Sequence, residues 1–223
     1  MNIKTFSYRY AQEVLEHECC KDALDEIIDI CSKCPLPLFK NKSNSQPKLD
    51  IVQQIINTYF KIVFENYNWE AEPLATPENN KDSLRSDFRK VFKKKITRDD
   101  KDNFTLQIEV EMGNIASSYR NYFKFQLSYS YKLTDIAILI LPCDSLSKRI
   151  DSGVASYEKT VREIPSADLS ITVPILVIGL DDNDTKEIDV STYTTDMDVI
   201  KGKERKYKEK HIELVKKIMK DTK

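Results

Sequence analysis

The chain has 223 residues, 35 of them Lys or Arg and 36 Asp or Glu. The formal charge of −1 excludes one uniformly basic surface that coats a nucleic acid, so any anion site has to be local. With 40% apolar residues, four Gly and eight Pro, the chain can bury a core and is neither disordered nor collagen-like.

The opening MNIKTFSYRYAQEV lacks the continuous apolar stretch and small-residue cleavage site of a secretory signal, and the five cysteines are an odd number. Both point to the cytoplasm with reduced thiols. From Glu13 to Asp29 there are seven acids and one Lys, and Ala23, Leu24, Ile27, Ile28 and Cys31 recur there at the spacing of an amphipathic helix. The polar, Pro-punctuated stretch Pro35 to Pro47 breaks this pattern. Ile51, Ile55, Ile56, Tyr59, Phe60, Val63 and Phe64 then predict a second helix.

A loop, Pro73 to Ser83, leads into Arg85 to Lys101, where eight bases stand against three acids. Phe88, Val91 and Phe92 suit a strand there, and TRDDKDN reads as the turn at a hairpin tip. The next segment, Phe104 to Met112, alternates apolar and polar residues throughout and predicts a half-buried strand. Gly113 and Asn114 interrupt it, after which Ile115, Tyr119, Tyr122 and Phe123 mark a helix to about Tyr131.

Asp135 to Leu141 is apolar on both faces, as a covered central strand requires, and its longest apolar run is far short of the roughly 20 residues of a bilayer span. No membrane segment is expected. Strand, helix and buried strand make a βαβ unit with parallel strands and a right-handed crossover. Pro142 ends it, a polar loop follows, and a helix is expected from about Val154 to Ile164. Ile171 to Gly179 reads as a further strand, with Pro174 disfavouring a fully paired central position.

Asp181 to Asp198 again holds seven acids and one Lys, whereas Lys201 to Lys223 holds ten bases and four acids. Within the latter, Tyr207, His211, Leu214, Val215, Ile218 and Met219 lie on one face of a long basic helix spanning 203–220. The expected class is α/β, organised as one domain over 1–223: a helical part over 1–70, an α/β core over 84–180 and an extension over 181–223.

Side chains alternate along the strand FTLQIEVEM, so Glu109 and Glu111 point the same way, their Cα atoms about 6.6 Å apart. Two such carboxylates can approach one site of metal and water, and hard oxygen ligands suit Mg²⁺. Glutamate on the wet face of a half-exposed strand is the competing reading. Upstream, LRSDF supplies Asp87 as a third acid.

The opening segment, the helix ending in FENYNW, then SDF, IEVEMGN, KLTDIAILILPCDSLSKRIDSGVASYEK and VPILVIGL occur in an order that resembles the type II restriction endonucleases of the BamHI, BglII and BstYI group. The likeness extends to about Asp182. It implies a restriction-endonuclease-like core of the PD-(D/E)xK superfamily, with a mixed central β-sheet flanked by helices. It also implies Mg²⁺-dependent hydrolysis of double-stranded DNA at a short palindromic site, with a GATC core as the candidate, by a homodimer leaving 5′-phosphate ends.

Carried over by motif, Asp87, Glu109 and Glu111 are the catalytic and metal-binding acids. Glu111 stands where most of the wider superfamily has Lys. Asp100 competes with Asp87 because 22 residues separate Asp87 from Glu109, longer than the BglII-like spacing. Glu65 is a fourth candidate carboxylate, with a solvated helix position as its plainer reading. The resemblance assigns sequence readout to Ser147, Lys148, Arg149, Asp151, Ser152 and Ser156, and backbone contacts to the segment from Arg89 to Arg98, with Arg89, Lys93 and Lys94 foremost. Another nuclease on the same core, for repair or recombination, and a catalytically silent DNA-binding module remain as alternatives.

Cys31 and Cys34 form a C-x-x-C near Cys19, Cys20 and His17, but Cys31 lies on an apolar helical stripe, which suits buried thiols better than zinc. Tyr119, Tyr122, Phe123 and Phe125 read as core. Neither a P-loop nor a G-x-G-x-x-G occurs, so nucleotide-driven chemistry is not expected.

Overall fold

The computed structural model describes residues 1–40, 42–43, 45–79, 81, 83–93, 103–167 and 170–222. In chain order these form β1 (Asn2–Tyr8), α1 (Ala11–Glu16), α2 (Lys21–Ser32), β2 (Leu36–Leu38), α3 (Gln53–Asn66), β3 (Glu70–Ala71), β4 (Phe88–Lys93) and β5 (Asn103–Val110). There follow α4 (Ile115–Ser130), β6 (Ile136–Pro142), α5 (Asp144–Ile150), α6 (Tyr157–Glu163), β7 (Ile175–Asp181), β8 (Glu187–Asp189), α7 (Met197–Lys201) and α8 (Lys208–Asp221). None of these helices is long and apolar enough to cross a membrane.

Among the described residues the main sheet has the order β1-β7-β6-β5-β4-β3, and β2 pairs with β8 in a small second sheet. The centre is parallel, β5 on β6 and β6 on β7, while β1, β4 and β3 add antiparallel strands at the flanks. The predicted βαβ unit is therefore β5, α4 and β6, and the predicted hairpin is β4 and β5. Every residue of β6 and β7 is buried, as continuous apolar runs require when helices cover both faces.

Period-two alternation divides the core. Ile136, Ile138, Ile140, Leu176 and Ile178 face one cluster, shared with Phe60 and Phe64 of α3 and with Leu214 and Val215 of α8. Ala137, Leu139, Leu141, Ile175 and Val177 face a second, shared with Tyr122 and Phe125 of α4. Gly179 belongs on this second face. A Cβ there would come within 2.6 Å of the Tyr157 ring and 2.9 Å of Cys143 Sγ, so the close approach of α6 requires a glycine.

Several expectations need correction. The opening segment, read only as leading into a helix, supplies β1, which pairs along its whole length with β7. β7 is thereby an interior strand: it begins at Ile175, after Pro174, whose carbonyl accepts a hydrogen bond from Ala137 N at 2.9 Å. Proline at the entrance removes no ladder donor. The polar loop after Pro142 is mostly α5, anchored by buried Leu146 and Ile150. The following helix starts at Tyr157 and not at Val154. On α4, Tyr122 and Phe125 are buried, but Tyr119 and Phe123 are 51% and 60% exposed. Cys31 and Cys34 are buried thiols, both pushed up by burial. The expected hairpin tip, with Lys94 and Asp100, lies outside the described residues.

Arg149 of α5 fastens three parts of the chain together. Its Nε and Nη2 donate to the two carboxylate oxygens of Asp50 at 3.0 and 3.1 Å, its Nη1 to Asp182 at 3.0 Å and its Nη2 also to Glu187 at 2.7 Å. A forked guanidinium satisfies three carboxylates in a way an ammonium cannot. Arg149→Ala leaves those acids facing one another and is expected to lower stability by about 2 kcal/mol, read from the urea denaturation midpoint; an unchanged midpoint contradicts this structural role.

Candidate active site

The β4–β5 register runs from Phe88↔Ile108 to Lys93↔Asn103. Asp87, one residue before β4, therefore stands across from Glu109 on β5. The long sequence interval between them is taken up by the two strands and the segment joining them, so it does not separate the side chains in space. Asp87 Oδ2 accepts the Val110 N–H at 2.8 Å, which fixes this carboxylate at the end of β5.

Glu109 occupies the α4 side of the sheet, and that side is not wet. Gln107 is fully buried and Glu109 only 1% exposed. The cover is α4, whose inward positions Ser118, Asn121, Lys124 and Ser128 are polar. Lys124 Nζ forms an ion pair with Glu109 Oε2, while the other carboxylate oxygen, Oε1, is buried near Ser86 with no well-formed hydrogen bond among the described residues.

Glu111 lies just beyond the strand, where its backbone N–H still donates to Ile140 O at 2.9 Å. Its carboxylate accepts from Gly113 N at 2.8 Å and from Asn121 Nδ2 at 3.3 Å. A Cβ on Gly113 would sit 2.9 Å from Glu111 Oε1, so a side chain there would push the Glu111 carboxylate aside.

The three acids line one cavity of about 410 Å³, together with Arg85, Arg120 and Lys124. Burial pushes the Glu109 carboxyl up to about 8; the charge of Asp87 adds to the rise, and Lys124 opposes it. Asp87 and Glu111 are also raised, in both cases chiefly by burial, and the backbone donors Val110 and Gly113 pull against it. Among the described residues no three His, Cys, Asp or Glu side chains already converge as a ready-made metal cluster. Mg²⁺ is commonly held by one or two carboxylates with water and a phosphate completing the shell, so a pair such as Asp87 and Glu109 suffices in principle.

The remaining candidates are dispersed. Glu65 is exposed on α3 and lies 4.0 Å from Lys61, away from the cavity. Lys148, Asp151 and Ser152 are exposed and line a separate recess with Leu49 and Val154. Ser156 is buried at the start of α6, and Ser147 is buried in α5. Arg149 is engaged by its three carboxylates. Lys93 is exposed, whereas Arg89 is half-buried and donates to Leu74 O at 2.5 Å.

Two short links join the recess segment to the turn after β5. Ile115 N donates to Gly153 O at 2.9 Å and Ala155 N donates to Gly113 O at 3.0 Å, which together pair Asn114 with Val154 as an antiparallel bridge.

Lys124, Arg85 and Arg120 were absent from the sequence-based candidates. The signal was present in α4 itself. Ser118, Asn121, Lys124 and Ser128 recur at helical spacing on a face that has to cover β5, and a polar stripe turned inward needs polar partners.

Residues 3–180 match the family described as restriction endonuclease BglII/BglIII. Among solved structures, the chain is similar to restriction endonuclease BglII complexed with a DNA 16-mer, with a TM-score of 0.62 and 18% identity over 82% of this chain and 78% of that one. It is also similar to free BglII, with a TM-score of 0.48 and 16% identity over 81% and 79% of the respective chains. A search of curated proteins gave no match.

The raised proton affinity of Glu109 gives a testable pH dependence. Between the ordinary value of 4.5 and about 8, the folded chain retains a proton that the unfolded chain has released. That contribution is complete below the unfolded value and is lost as pH rises through the folded one. In metal-free buffer the melting temperature is expected to fall across this window, and to fall less in Glu109→Gln; parallel curves for the two proteins contradict the assignment.

Proposed function

The chain belongs to the BglII/BglIII family of restriction endonucleases, site-specific deoxyribonucleases, and from this premise we propose that it hydrolyses phosphodiester bonds of double-stranded DNA at a short palindromic site, using Mg²⁺ and leaving 5′-phosphate and 3′-hydroxyl ends. The observation that carries the reading is the meeting of Asp87, Glu109 and Glu111 at one cavity, where one buried oxygen of Glu109 has no well-formed hydrogen bond among the described residues.

The donor set fits a divalent cation. A buried carboxylate oxygen without a partner is costly unless a positive charge satisfies it, and raised carboxyls release protons when such a charge arrives. Asp87 and Glu109 would hold the ion; when bound, it supplies acidification of water and neutralises charge on the phosphate. Glu111, held by Gly113 and Asn121, orients the attacking water toward phosphorus. The water oxygen bonds to phosphorus as the bond from phosphorus to the 3′ oxygen breaks; the proton shed by the water passes to solvent, the 3′ oxygen takes one from solvent, and the phosphate stays on the 5′ side.

Arg85 and Arg120 at the cavity rim suit the flanking phosphates, as does exposed Lys93. Base readout falls to Lys148, Asp151 and Ser152 in the recess that is hydrogen-bonded to the catalytic turn. Duplex DNA as substrate is supported by the similar BglII structure, which was obtained with a DNA 16-mer. A two-fold target calls for a two-fold protein. The exposed Tyr119 and Phe123 of α4, with exposed Tyr131 just past its end, support a homodimer, because a monomer gains nothing from three aromatic rings in water.

Incubation of the purified protein with plasmid and Mg²⁺ is expected to give discrete limit fragments, with Glu109→Ala slowing cleavage on the order of a thousandfold while duplex binding persists. A smear of random cuts would indicate a nuclease without site specificity, and intact plasmid with both Mg²⁺ and Mn²⁺ would overturn the reading.

A further inference from the structure

Glu109 can meet an ion arriving from solvent only if whatever covers it moves. It is 1% exposed, and the charged group bound to it is Lys124, itself only 8% exposed and reaching in from α4. The other cations lining the cavity, Arg85 and Arg120, are exposed, so Lys124 is the buried positive charge of this site. A lysine has a flexible four-carbon stem and can withdraw from its partner while the backbone stays in place.

We infer that Lys124 is an internal stand-in cation: in the free protein its ammonium takes the place of a divalent ion at Glu109, and the ion has to displace it to bind. Lys124 is thus a positioning residue that holds the Glu109 carboxyl in place before the ion enters. The inference rests on reading Asp87 and Glu109 as the divalent-ion site.

The exchange has a sign that a purely structural lysine would not produce. Mn²⁺ titration of the DNA-free protein, followed by the electron paramagnetic resonance of the free ion, is expected to show Lys124→Met binding about tenfold more tightly than the wild type, with Lys124→Arg restoring weak binding. Equal or weaker binding by a folded Lys124→Met overturns the inference. Should Lys124→Met fail to fold, the wild type carries the test. Labelling of Lys124 by an amine-reactive reagent, read by mass spectrometry, is expected to rise when Ca²⁺ is added, and unchanged or reduced labelling overturns the inference. A wild type that binds no divalent ion at millimolar concentration refutes the underlying site reading instead, so the two failures are distinguishable.

Discussion

The antiparallel register of β4 on β5 is the constraint on which the site depends. Phe88 opposite Ile108 puts Asp87 opposite Glu109, and a slip of one residue would turn Glu109 into the apolar layer and Ile108 toward the cavity. Packing holds the register. Phe88 packs tilted against Phe64 at 4.9 Å, Phe92 stacks on Phe104 at 5.4 Å and Trp69 lies edge-on to Phe92 at 5.7 Å, all on the side away from α4. Burial of these rings is worth several kcal/mol and fixes which face of β5 is polar.

On the opposite side of the hairpin, polar atoms are enclosed without full satisfaction. Both amide atoms of Gln107, Nε of Arg89, Oγ of Ser86 and Oε1 of Glu109 are buried without a hydrogen-bond partner among the described residues. Elsewhere the sheet is buried in aliphatic layers. Such a concentration of unsatisfied groups destabilises the chain, and its position around the acids links it to chemistry and not to folding. The backbone hydrogen bonds from Gly113 and Ile115 to the 153–155 segment tie the recess containing Lys148, Asp151 and Ser152 to the turn that holds Glu111.

Much of this architecture was legible in the sequence because its signals are local. The alternation of FTLQIEVEM, the two-sided apolar run IAILIL and the helical spacing around Phe60 and Phe64 gave β5, β6 and α3 directly. The ordered motifs gave the family. What escaped reading depends on distant partners. β1 is an edge strand whose mixed side chains carry no clean period, and its pairing is to residues about 170 positions later. α5 shows only Leu146 and Ile150 as apolar anchors within DSLSKRI, so it reads as polar loop until β6 and β7 are in place. The ion pairs of Arg149, a candidate for base contact in the sequence, were not legible because Asp50, Asp182 and Glu187 are adjacent to it only in the fold. Lys124 was hidden among aromatic residues on α4, and its meaning appears only when Glu109 is found beneath it.

The central claim is that one hairpin register assembles a divalent-ion site from Asp87 and Glu109. Anomalous diffraction from crystals soaked in Mn²⁺ tests it most directly. A peak within about 2.5 Å of carboxylate oxygens of both residues is the predicted result. Ion density held by other side chains, with Asp87 and Glu109 left paired to Val110 N and Lys124 as in the free protein, would contradict the account.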